Sequence, residues 1–184
     1  MQRQFIIKLL EKYQTEDQLE QKMQADLMAF VNQHENCFDR ELAVGHITGS
    51  AWLVNKTLSH VFFTHHKKLD RWFQPGGHSD GNANTLAVAM KEASEESGIE
   101  DVFIQPLSHD IFDIDVHTIP ARKNECEHLH YDIRFILEAD MNQPLDISEE
   151  SHEIAWIAVE DIPNYTKEVS IMRMVEKMKA LTSQ

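Results

Sequence analysis

The sequence predicts an α/β fold, with a mixed β-sheet held between helical layers and a helical extension in front of it. Three observations predict this. Apolar residues recur at helical spacing in the first forty or so residues and again near the end of the chain. Runs rich in β-branched and aromatic residues, bounded by turn residues, fill the interval. One further helix interrupts those runs, so strands and helices alternate in a mixed order. The change of period near Leu42 separates an extension over residues 1–40 from a domain over residues 41–184.

The elements follow in order. The apolar run Phe5 to Leu10 is broken by Lys8, is far too short to span a membrane, and reads as one face of an amphipathic helix. Thr15 with Gln18 resembles a capping box, and Leu19, Met23, Leu27, Phe30, Val31 and His34 follow at helical spacing. These helices are expected to cover one side of the core; a lid or a homodimer contact is the alternative. Ile47 to Val54 and His60 to His65 read as strands joined by a turn at Asn55 to Ser59. In Trp72-Phe73-Gln74-Pro75-Gly76-Gly77, the glycine pair after proline marks a place where backbone must approach something closely. A helix runs from Asn84, a cap residue, to Ser97, with Gly98 ending it. Val102 to Ile119 holds one or two strands, Pro120 to Glu127 is a polar connection, and His128 to Leu137 is a strand of alternating character. His152 to Val159 is a short strand closed by Asp161-Ile162-Pro163, and Val169, Met172, Val175, Met178 and Leu181 mark a final amphipathic helix.

Charge narrows the function. The formal net charge is −14 and no basic stripe is present, so long nucleic acid is excluded as a partner. An anionic phosphate ligand would need a cation between itself and such a surface. Cys37 and Cys126 lack metal-site spacing and read as reduced thiols of a cytoplasmic protein with no membrane span.

The sharpest feature is Lys91-Glu92-Ala93-Ser94-Glu95-Glu96-Ser97-Gly98-Ile99. At about 100° per residue, with Glu92 at zero, Glu95 lies near −60° and Glu96 near +40°, so the three carboxylates share an arc of roughly 100°. Leu86, Ala89, Met90, Ala93 and Ser97 occupy the neighbouring arc and are expected to face the sheet. Carboxylates this close repel one another, and burial worsens it. Oxygen ligands facing one point suit a hard cation such as Mg²⁺ or Mn²⁺, which would also draw in the phosphate oxygens of a substrate. Gly76-Gly77, just before this helix, offers a backbone carbonyl as a further ligand.

Gly77, Lys91-Glu92-Ala93, Glu95-Glu96 and Gly98-Ile99 together resemble the Nudix box, and the spacing from Gly77 to Ile99 fits without a gap. Two positions depart: Ala83 replaces the first glutamate of the box and Lys91 replaces its arginine. Lysine keeps the charge but loses the planar fork that orients the neighbouring acid. Asp80 lies where it could partly stand in for the acid missing at Ala83; a plain turn role is the alternative.

The resemblance implies a Nudix-like α/β/α sandwich and a metal-dependent hydrolase that cleaves a phosphoanhydride bond by attack of water on phosphorus. It implies Glu92, Glu95, Glu96 and the Gly77 carbonyl as metal ligands. It implies a general base at Glu92 in the box or in a later loop, where Glu149 and Glu150 lie, with a plain exposed loop acid as the alternative for those two; Glu95 is a further catalytic candidate. His78, Lys91, His128 and His130 are the expected substrate contacts, with the strand histidines able to reach phosphate, a base or a second metal. Trp72 and Phe73 are candidates for stacking on a nucleobase or for the core. Nucleoside triphosphates, ADP-ribose, dinucleoside polyphosphates and sugar nucleotides are all candidate small-molecule substrates. Two other readings remain open: a nucleotide- or diphosphate-binding regulatory module without turnover, and an isomerase that would rely on a cysteine and a glutamate.

Overall fold

The computed structural model describes residues 2–122 and 126–182. Eight strands form one sheet: β1 (Gly45–Asn55), β2 (His60–His66), β3 (Arg71–Phe73), β4 (Gly76–His78), β5 (Ile104–Pro106), β6 (Asp113–Ile119), β7 (His128–Ala139) and β8 (Ser151–Ala158). Five helices accompany them: α1 (Arg3–Lys12), α2 (Gln18–Gln33), α3 (Thr85–Ser97), α4 (Ile162–Tyr165) and α5 (Val169–Thr182). The path through the sheet is β3-β2-β1-β7-β5, with β4 on β1, β6 on β7 and β8 on β2. Most pairs are antiparallel. β1 and β7 run the same way: Leu129 N donates to Val44 O where both begin, and Asn55 Nδ2 contacts the Met141 sulfur where both end. The sheet is therefore mixed, as the order of elements predicts. Among the described residues no helix is long and apolar enough to cross a membrane.

The chain divides into two compact units. The first comprises Met1–Ser50, Gly76–Ala89 and His109–Phe135. Here α2 covers one face of the β6–β7 ribbon. Met23, Leu27, Phe30 and Val31 are buried, and Phe30 stacks on Tyr131 with ring centroids 4.0 Å apart. The wholly buried Glu20 carboxylate accepts hydrogen bonds from Tyr13, Thr15 and the Ile114 N–H, which ties α2 to β6.

Three expectations in this unit need correction. The cap of α2 is Asp17, whose side chain accepts from Glu20 N; Thr15 lies two residues too early and donates to Glu20 instead. Leu19 is 54% exposed, because the buried stripe of α2 begins at Glu20 and Met23. β7 does not alternate: it is buried on both faces along most of its length, so polar residues of one face enter the interior. Of the polar connection Pro120 to Glu127, residues 123–125 lie outside the described residues.

The second unit comprises Ala51–Pro75, Met90–Ser108 and Ile136–Gln184. Trp52, Phe62, Phe63, Ile157, Met174 and Met178 form its core. The Trp52 indole N–H donates to the Met178 sulfur at 3.1 Å and meets Phe63 edge-on. The turn at Asn55 to Ser59 is closed by Asn55 Oδ1, which accepts from the N–H groups of Ser59 and His60. The interval Val102 to Ile119 resolves into a 3₁₀ turn and the two strands β5 and β6.

Candidate active site

Helix α3 begins where Asn84 Oδ1 accepts from Ala87 N and ends at Gly98, whose φ of +76° only glycine adopts without strain. A side chain at Gly98 would also collide with Asp146, 2.5 Å from the position of its Cβ. Asp146 N donates to the Ser97 carbonyl, so the segment leading to Glu149 and Glu150 starts docked on the end of α3. That loop is held again further on: Lys67 N donates to Glu150 O at 2.9 Å, and Lys67 Nζ to Glu149 O at 2.8 Å.

The expected packing face holds, with Leu86, Ala89, Ala93 and Ser97 buried and Met90 half-buried. Thr85 and Val88, at about +20° and −40° on the same wheel, are buried as well. Their stripe at the start of α3 leads straight to the acids at its end. Gly49 of β1 lets them approach, since a Cβ there would lie 2.7 Å from the Thr85 carbonyl.

The three acids differ in environment. The Glu92 side chain is only 16% exposed, Glu96 is half-buried, and Glu95 is 58% exposed. Lys91 Nζ lies 2.7 Å from Glu95 Oε2 and 3.5 Å from Glu92 Oε1. Burial pushes the Glu92 carboxyl above the usual range; Lys91 pulls it back, and the charges of Glu95 and Glu150 push it further up. Glu150 is therefore in electrostatic reach of Glu92. An all-carboxylate donor set suits a hard dication, and a cation there would reverse the upward push on Glu92.

Gly77 lies in the first unit, paired with Gly49 across β4 and β1. Its neighbour Gly76 faces Ser50, and a Cβ at Gly76 would sit 2.0 Å from the Ser50 hydroxyl. The close approach at Gly76 is thus to a strand neighbour. Asp80, at φ +48°, forms an ion pair with Arg40, whose hydrogen bond holds the carboxyl below its ordinary range.

The first unit also gathers five histidines. His46 opens β1, His78 ends β4 opposite Thr48, His128 and His130 share a face of β7, and His117 of β6 lies opposite His130. Ring centroids are 4.9 Å apart for His46–His78, 4.7 Å for His46–His130, 5.1 Å for His78–His130 and 5.0 Å for His46–His128. Burial, with the neighbouring histidines adding, lowers His46 to about 4 and His130 to about 2. His78, His128 and His130 were expected from the sequence; His46 and His117 were not.

Next to them the buried Arg134 bridges Asp132 at 2.7 Å, Asp113 at 3.3 Å and Asp115 at 3.4 Å. Asp132 also accepts from Thr48 and Ser50. The missed signal was His46, Thr48 and Ser50, polar residues at period two in an otherwise apolar strand.

In the second unit Trp72 is half-buried, stacked on His65 at 5.1 Å and meeting Tyr165 edge-on at 5.3 Å. Cys37 is buried and its thiol is raised by that burial to about 11, while Cys126 is exposed. The buried Cys37 lacks the environment of an activated nucleophile.

The NUDIX domain profile matches residues 46–177. Among solved structures the chain is similar to an Ap4A hydrolase of C. elegans in a binary complex, with TM-score 0.60 and 14% identity over 74% of this chain and 97% of that one. It is also similar to RenU, a Nudix hydrolase of M. smegmatis, with TM-score 0.56 and 15% identity over 76% and 87%. A NUDIX-family hydrolase of Clostridium perfringens matches with TM-score 0.53 and 23% identity over 74% and 97%. These likenesses are of fold. No curated protein matches the chain.

Proposed function

We propose, from the premise that the chain belongs to the NUDIX family of hydrolases, that it is a pyrophosphohydrolase hydrolysing a phosphoanhydride bond in a nucleotide or nucleoside-diphosphate-linked substrate. The reading rests on one observation: Glu92, Glu95 and Glu96 share one arc at the end of α3, with Glu92 sequestered and Glu150 in electrostatic reach. Glu92, Glu95 and Glu96 are assigned to hold Mg²⁺ or Mn²⁺, and the family resemblance adds the Gly77 carbonyl. When bound, such an ion neutralises phosphate charge and makes water a better nucleophile.

The chain's own groups do the rest. Glu92, pushed up by burial, and Glu150, tethered through its carbonyl to Lys67, are assigned as the proton acceptors for the attacking water. Lys91 keeps Glu95 oriented through its 2.7 Å contact, which is the positioning role of the box arginine performed with a single point charge. Residues 1–40 are assigned as a helical extension to a hydrolase domain spanning 41–184.

A second reading, binding without turnover, is favoured by the same lysine, because its ammonium already neutralises part of the acid cluster. Phosphate release from a panel of nucleoside triphosphates, ADP-ribose, dinucleoside polyphosphates and sugar nucleotides, with Mg²⁺ or Mn²⁺, separates the two. Turnover abolished by Glu96→Gln is the expected result. Binding of a panel member without any release would overturn hydrolysis in favour of the second reading.

A further inference from the structure

We propose that His46, His78 and His130 form a second, independent metal site for a dication of the zinc class, with three imidazole ligands and a fourth position open to water or a ligand group. The side chains come from three strands, β1, β4 and β7, and one ring nitrogen from each lies within 4.8 Å of the others. A tetrahedral zinc ion with bonds of about 2.1 Å spaces its ligand nitrogens about 3.4 Å apart. Closing the cluster thus takes about an ångström of side-chain movement.

A second observation points to a ligand. His46 is 1% exposed, yet neither of its ring nitrogens has a hydrogen-bond partner, and Nε2 of His130 has none either. Buried polar atoms are nearly always hydrogen-bonded, and exceptions commonly mark an ion or water. Metallation here breaks no existing hydrogen bond of His46. An all-nitrogen donor set selects Zn²⁺, Co²⁺, Ni²⁺ or Cu²⁺ over Mg²⁺ and Mn²⁺, which prefer oxygen. His128 stands beside the cluster, its Nδ1 donating to the Cys126 carbonyl at 2.9 Å. Its ring centroid lies 5.0 Å from that of His46.

The site is separate from the acids of α3 in residues and in donor chemistry. The test is titration of the full chain, stripped with chelator, with Co²⁺ and with Zn²⁺ in the presence of millimolar Mg²⁺. About one equivalent of Co²⁺ is expected to bind and to give the visible absorption of a four-coordinate ion, and Zn²⁺ should displace it and raise the melting temperature. His46→Asn and His130→Asn should each weaken uptake at least about tenfold. Glu96→Gln should leave it unchanged, so loss of hydrolysis and loss of this site are read separately. If His46→Asn fails to fold, His78→Asn and X-ray absorption of the zinc-loaded wild-type chain decide. A shell containing three imidazoles supports the site. Oxygen-only coordination, no uptake, or uptake equal in wild type and histidine variants overturns it.

Discussion

The acids of α3 and the histidines of the sheet are both crowded clusters of like groups, but the chain assembles them by different routes. Glu92, Glu95 and Glu96 lie within five residues on one helix, so their proximity follows from the helical repeat alone. His46, His78, His117, His128 and His130 come from four strands, so their proximity depends on the register of β1, β4, β6 and β7. They also differ in how they manage electrostatics. Lys91 stands as a cation beside Glu92 and Glu95, whereas burial holds His46 and His130 neutral. A local cluster is suited to a charged, exchangeable ion, and a cluster built by tertiary structure is suited to a site that forms only when the sheet forms.

Substitutions on either side can break that contrast. Glu96→Gln should lower phosphate release at least about 10³-fold while leaving thermal stability nearly unchanged. A comparable loss of stability would place Glu96 in the fold and outside the chemistry. Arg134→Met should do the reverse. It leaves the buried Asp113 and Asp132 and the half-buried Asp115 without their cation, and an unfolding titration should read a loss of about 3–5 kcal/mol.

The histidines also make stability depend on pH. His46 and His130 are neutral in the folded metal-free chain, with values lowered to about 4 and about 2, but take up protons near pH 6.5 when unfolded. Between those limits the unfolded state binds more protons, so stability is full above about pH 6.5 and falls as pH drops. The slope is up to about 1.4 kcal/mol per pH unit for each imidazole, ending near pH 4 for His46. Denaturation midpoints that stay flat from pH 7 to 4.5 would show that the histidines are not buried as described. Smallest is Lys91→Arg, which restores the planar fork beside Glu95 and should raise turnover roughly threefold, about 0.6 kcal/mol. An unchanged rate would show that a point charge suffices.

Legibility in the sequence follows the same divide. The interrupted order of strands and helices, the caps at Asn84 and Gly98, and the acid arc of α3 all depend on neighbours in sequence, and these were readable. The register opposing His117 to His130 and Thr48 to His78 is set by strand pairing over long separations, and no local pattern encodes it. The Arg134 network was hidden for a further reason: an Asp and an Arg on a strand ordinarily face solvent, and only the burial of both faces of β7 forces them to pair. Short strand β4 escaped because the glycine pair reads only as a place of close backbone approach until Ser50 is seen opposite Gly76.

The most direct test of the acid helix is a Mn²⁺ titration followed by electron paramagnetic resonance, on the wild-type chain and on a Glu92→Gln, Glu96→Gln double variant. Saturable Mn²⁺ binding in the wild type that disappears in the double variant is the expected result. Equal binding in both, or none in the wild type, would contradict a dication held by the carboxylates of α3.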